Sequence, residues 1–229
     1  RDLPAVNEVE APPGGAIRAF FSLWLDPCIW LLAFLPAAFA LIDAVVTNHV
    51  NPKDVVPQLG DGSIGILTSL ASLSGALFAK PYGFLGAQKG SALPMCIAAF
   101  SFALVPLLVT FTDVATSDGW WVSIIYVLIG SGRAVVEGIL RALYGQFFAG
   151  PLLETAYANM NFQQAIMSGS TDILLTFVST NALFLTGSVV SLLTLPGYML
   201  AVRLLARRAR AKGGPGDKAS GEKSSNAAA

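Results

Sequence analysis

The sequence predicts an all-α membrane protein: six transmembrane helices, divisible into two inverted three-helix repeats. Three observations carry this expectation. The 229 residues are 54% hydrophobic and only 12% charged, with a mean hydropathy of +0.64, far from the composition of soluble domains. Six stretches, 28–47, 62–82, 92–112, 120–142, 157–180 and 183–203, reach the roughly 20 residues needed to cross a bilayer at about 1.5 Å each. The charged residues, finally, segregate by loop.

Taken in order, residues 1–27 form a polar, Pro- and Gly-rich cytoplasmic linker whose end turns amphipathic near Ile17–Leu25. The chain starts at Arg1 rather than Met, so we expect a fragment or a processed product. Residues 28–205 make up the six-helix domain. Its first span carries Asp43, with no charged neighbour within one turn. An ionised carboxylate against lipid is untenable, so Asp43 has to face the interior, either as a proton-coupling acid or as a hydrogen-bonded core acid. At the outer mouth, His49 within Asn48-His49-Val50-Asn51-Pro52 reads as a solvated loop residue. The second and fifth spans are rich in Ser, Thr, Gly or amide side chains, which suits helices buried among other helices. Pro36, Pro106 and Pro196 lie inside spans and predict bends.

The fourth span holds the most informative residues. Arg133, Glu137 and Arg141 recur every fourth position in an otherwise apolar run, so an α-helix sets all three on one face. One reading is a water-accessible seam, with Glu137 carrying a proton or cation and Arg133 binding an anion. The other is a self-satisfied ion-pair ladder that locks helix packing. Gly130, Gly132 and Gly138 on the same helix suit close approach of a neighbour. In the fifth span Asn161, Gln164, Ser168 and Asp172 share one face. That stripe requires a polar partner or water; packing against the fourth-span seam would satisfy both. After residue 205 the tail, 206–229, is basic and of low complexity, and reads as disordered and cytoplasmic.

Loop charges give the orientation. With a cytoplasmic amino terminus, the inner segments hold Arg1, Arg18, Lys80, Lys89, Arg203, Arg207, Arg208, Arg210, Lys212, Lys218 and Lys223, eleven of the fourteen Lys and Arg residues. Only Lys53 falls in an outer loop, beside Asp54, Asp61, Asp113 and Asp118. The positive-inside rule then sets both termini in the cytoplasm. The repeat rests on position: the first helix of each triplet carries a deep acid, Asp43 or Glu137, as in the inverted triplets of many secondary transporters.

Net charge is zero, which gives no nucleic-acid partner. Cys28 and Cys96 stand apart with no ligand spacing, and the sequence holds no phosphate-binding loop, HExxH or nucleophile–base arrangement. We therefore expect no enzyme, no metal site and no cofactor.

Gly83-Phe84-Leu85-Gly86-Ala87-Gln88-Lys89-Gly90, between the second and third spans, resembles the G-x-L-a-D-r-x-G cytoplasmic loop motif of the major facilitator superfamily. Gly83, Leu85 and Gly90 match, while Ala87 and Gln88 stand where the motif has its acid and base. Gly130, Gly132, Arg133 and Glu137, followed by Glu154, Ala156, Tyr157, Ala158 and Asn159, look like the uncoordinated-ninety-three-like branch of that superfamily. The resemblance implies the carboxyl-terminal six-helix half of a twelve-helix transporter. Its partners would be the lipid bilayer, an amino-terminal half or a second copy, and a small solute of unknown identity. Asp43, Arg133, Glu137, Asn161, Gln164 and Asp172 would line the pathway. The branch equally implies an alternative: a non-transporting scaffold, channel regulator or trafficking partner that keeps the fold.

Overall fold

The computed structural model describes residues 15–111, 120–148, 150 and 152–212, and every regular element among them is helical. The first part of the linker, the Asp113 and Asp118 loop, and tail residues 213–229 with Lys218 and Lys223 lie outside the described residues. In order the elements are α1 (Gly15–Leu23), α2 (Pro27–Leu32), α3 (Phe34–Val45), a π-helical segment (Val46–Val55), α4 (Val56–Leu59), α5 (Gly62–Lys89), α6 (Ala92–Phe111), α7 (Trp120–Ala134), a second π-helical segment (Val135–Leu140), α8 (Arg141–Phe147), α9 (Leu152–Leu174) and α10 (Thr180–Lys212).

Four helices among the described residues are long and apolar enough to cross a membrane: Gly62–Lys89, Ala92–Thr110, Trp121–Phe147 and Thr180–Arg210. They fit a multi-pass membrane protein. The other two expected spans do not qualify, for different reasons. The first is interrupted. Pro36 has no N–H, and its ring collides with the carbonyl four residues back. The chain therefore turns at Ala33, whose N–H bonds to the Trp30 carbonyl three residues back at 3.2 Å, before Ala37 N–H resumes α-helical bonding to Ala33 at 2.9 Å. Beyond α3 the Asn-His-Val-Asn-Pro stretch is π-helical rather than a loop. The fifth, α9, is continuous but too polar. Pro106 and Pro196 leave α6 and α10 unbroken, so of the three membrane prolines only Pro36 interrupts its helix.

Two further boundaries differ from expectation. The motif 83–90 is largely helical, because α5 runs on to Lys89; only Gly90 makes the turn, at φ +84°. The basic tail is also helical as far as Lys212, as a continuation of α10.

α5, α7, α3 and α9 follow one another across one side of the bundle, with α6 and α10 packed behind α7 and α3. Small residues permit these approaches. Gly130 sits against the α5 backbone, where a Cβ would overlap the Ser74 hydroxyl and the Ala71 carbonyl oxygen. At Gly132 a Cβ would enter the Phe102 ring. Gly197 lets α10 reach the bend after α2, where a Cβ would stand 2.7 Å from the Leu31 carbonyl oxygen. Ser131 adds polar cohesion, with the Tyr82 hydroxyl at 2.6 Å and Ser101 at 3.5 Å. Outward faces keep large apolar side chains such as Ile66, Leu77, Phe100, Leu185 and Leu192 exposed, as lipid-facing helices do.

Candidate functional site

Where α5 crosses α7, Gly75 and Gly130 bring the backbones together; beyond the crossing the helices part. Ser72, Ala76, Ala79, Ala134 and Gly138 then line a groove of about 400 Å³, with Arg133 and Glu137 on its wall. Gly138 meets nothing within 4 Å, so unlike Gly130 and Gly132 it is not a packing glycine. Arg133 Nε donates to Glu137 Oε1 at 2.7 Å, and both side chains are almost half exposed (44% and 46%). The pair is thus an ion pair on an open wall, using one guanidinium N–H and one carboxylate oxygen.

The ion-pair ladder of the second reading does not extend to Arg141. Residues 135–140 are π-helical, and the extra residue in that turn moves Arg141 out of register with Glu137. Arg141 makes no ion pair among the described residues; its carbonyl instead accepts the Tyr157 hydroxyl at 3.0 Å. Asp43, on α3, is exposed on the surface of the bundle.

The fifth-span stripe also lies elsewhere than expected. Asn161 and Asp172 are exposed, Gln164 and Ser168 half-buried. The residues that α9 buries are Ala156, Asn159, Met160 and Thr171, roughly a third of a turn away at 3.6 residues per turn. Through that face α9 packs on α3 and α1, and it meets the fourth-span rod mainly through α8. Asp172, at the end of the stripe, takes a partner from the first π segment: Asn48 Nδ2 donates to Asp172 Oδ1 at 2.6 Å.

That π segment spreads its polar side chains over three helices. Asn48 goes to α9, His49 to Thr180 at the start of α10 (Nε2 to Oγ1, 2.9 Å), and Asn51 accepts from the Tyr126 hydroxyl on α7. His49 is therefore a half-buried clasp residue rather than a free loop residue. Burial, followed by the Lys53 charge, lowers its pKa, against a smaller opposing effect of Asp54.

A second clasp joins the elements that carry the amino- and carboxyl-terminal ends of the described chain. Asp26 caps α2, accepting from Cys28 N–H at 2.8 Å. It also receives both Arg208 Nη groups, at 2.8 and 3.0 Å. Burial alone would raise the Asp26 pKa; the Arg208 and Cys28 hydrogen bonds and the Arg208 charge outweigh it and hold the carboxyl below its ordinary value. Beside it Asn159, fully buried, accepts from Trp24 Nε1 and donates to the Phe20 and Thr155 carbonyls at 3.2 and 3.0 Å. Sequence reasoning missed Asp26 and Arg208 as a pair. The Asp-Pro dipeptide signals a helix cap, but nothing local signals a partner 182 positions away. Of the loop-motif residues, Gly83 is exposed, Leu85 packs on the core and Gly90 caps α5. None of the three reaches the groove.

Comparison of the chain with protein-family models, with curated proteins and with solved structures returns no match.

Proposed function

We propose that this chain is one six-helix half of a major-facilitator-type secondary transporter, moving a small solute by alternating access. One observation carries the reading: within an apolar helical bundle, Asp43, Arg133, Glu137 and Asp172 all stand on exposed surface. An ion facing lipid costs at least a few kcal/mol, so the exposed surface around each of them meets water or a polar partner. A second six-helix body, either an amino-terminal half or another copy, would cover it and enclose a hydrated cavity.

Two further features support six spans. The pieces from Pro27 to Leu59 follow one another as helix, broken only by the single turn residue Ala33. α9, with 23 residues, is about 34 Å long, enough to cross when its polar side faces the cavity. The inverted repeat gains support from the π segments, because each interrupts the first helix of a triplet close to its deep acid: 46–55 after Asp43, and 135–140 around Glu137. π-turns gather at functional positions.

Uptake into proteoliposomes holding the full-length protein tests this, using labelled amino acids, sugars, nucleosides and small organic acids with and without a pH gradient. Accumulation of one class, lost in Glu137→Gln, is the expected result. The second reading, a non-transporting scaffold or escort, draws on the Arg133–Glu137 bond, which satisfies part of each ion's need without a solute. A panel with no uptake, together with a Glu137→Gln variant that loses only its fold stability, would favour that second reading.

A further inference from the structure

α1 is a short helix whose apolar arc is wider than the surface that covers it. Ala19 and Leu23 are buried against the bundle, and α9 is its main neighbour. Phe20 lies beside them, edge-on to Phe162 of α9 at 5.5 Å. Further round the same helix, Ile17 (76% exposed) and Phe21 (57%) are open, and Leu25 (87%) continues their line into the turn. Arg18 and Ser22, both exposed, occupy the remaining arc. The helix thus has three faces: one on protein, one apolar and uncovered, one polar. An amphipathic segment of a water-soluble surface needs only two.

We propose that the uncovered face of α1 is seated in the lipid leaflet, so that α1 is an interfacial anchor lying at the membrane surface; this rests on the membrane reading above. Phospholipid is the occupant for three reasons. The face is continuous with the bundle's outward apolar surface through Trp30, itself 48% exposed and bonded by Nε1 to the Trp24 carbonyl at 2.8 Å. Trp24, Trp30, Phe20 and Phe21 cluster there edge-to-face or tilted, at 5.4–6.1 Å between centroids, and amphipathic aromatics settle at the headgroup level. Charge is complementary as well. Arg18 and the α10 end, with exposed Arg207 and Arg210 beside the Arg208–Asp26 pair, present cations to lipid phosphates. An open trough of about 430 Å³ between α1 and α9, lined by Ile17, Phe20, Phe21, Glu154, Thr155 and Ala158, leaves room for an acyl chain. The Asp26–Arg208 and Trp24–Asn159 clasps fix the helix to the bundle, so α1 would hold the bundle at a set depth.

Spin labels test this on the full chain in phosphatidylcholine–phosphatidylglycerol vesicles. Single cysteines are placed at Ile17, Phe21, Leu25, Ser22 and Leu192, with Cys28→Ala and Cys96→Ser removing the native thiols. Collision with oxygen reports lipid and collision with a nickel chelate reports water. The expected result is oxygen dominance at Ile17, Phe21, Leu25 and Leu192, with nickel dominance at Ser22. Nickel dominance at the three α1 sites with oxygen dominance at Leu192 would overturn the anchor and leave the membrane reading intact. Shielding of the three from both reagents would mean that protein covers the face, which also overturns it. Nickel dominance at Leu192 would defeat the membrane reading itself. Because the labelled sites are exposed, substitution there removes no core packing; Leu25, outside the helix, gives a readout should a helical site fail to fold.

Discussion

Gly130→Ala isolates the α5–α7 crossing. An added Cβ would overlap both the Ser74 Oγ and the Ala71 carbonyl oxygen and come within 3.1 Å of the Ala71 carbonyl carbon, whereas ordinary Cβ contacts begin near 3.4 Å. Ser74 can rotate away, giving up its 2.9 Å bond to Ala71. The carbonyl cannot, because it belongs to the backbone of a 28-residue helix. Relief requires α5 to move bodily outward, which also loosens Gly75 against Gly130 and the Tyr82–Ser131 bond. Overpacking of a tight core costs about 1–3 kcal/mol, and a backbone collision belongs at the upper end. Gly138→Ala is the matched control: it meets nothing within 4 Å, so it should stay within about 0.5 kcal/mol of the parent. Reversible unfolding by sodium dodecyl sulfate in mixed micelles, followed by far-ultraviolet circular dichroism, measures both. Adding Ser74→Gly to Gly130→Ala should recover little, since the carbonyl remains. Equal stability of the two alanine variants, or full rescue by Ser74→Gly, would refute the reasoning.

Arg133 and Glu137 should behave as an open pair: a double-mutant cycle with Arg133→Met and Glu137→Gln should give a coupling energy below about 1 kcal/mol, and a value of 3 or more would reveal a buried lock. Asp26→Ala should cost about 1–2 kcal/mol through loss of the cap and of Arg208. Because the folded Asp26 pKa lies below its ordinary 3.8, the parent's stability should fall as pH drops through and below that value, and this limb should shrink in Asp26→Ala when thermal unfolding is followed against pH. The lowered His49 pKa has the opposite chemistry but the same slope: the unfolded chain takes the proton first, so stability should decline as pH falls below the ordinary value of 6.5, a dependence that His49→Gln should remove. Gly90→Ala should cost about 1–3 kcal/mol in the same unfolding assay, since φ +84° with ψ 162° is a backbone region that side chains resist.

Much of the helical architecture was legible in composition and length, because a backbone in lipid must bond to itself and an apolar run of sufficient length does so as helix. The stretches behind α5, α6, the α7–α8 rod and α10 stood out for that reason. So did Arg133 and Glu137, since charge in an apolar run is conspicuous without knowledge of its neighbours. The break at Ala33 was half-legible: Pro36 announced a bend, but not that the span would separate into pieces.

What the sequence by itself determined is the chain's apolar character, its helical elements and the few ions embedded in them, all consequences of local chemistry and of the cost of unpaired polar groups. Tertiary structure alone decided the partners. It put Arg208 on Asp26 and Asn48 on Asp172, left Arg141 out of the Arg133–Glu137 pair through one π-turn, and set α9 beside the first span rather than the fourth. These outcomes depend on which small residues allow which backbones to meet, as Gly130 and Gly197 do, and on a register that a single added residue can rotate. Such contacts join positions from about 60 to 182 residues apart, and no periodicity along the chain records them.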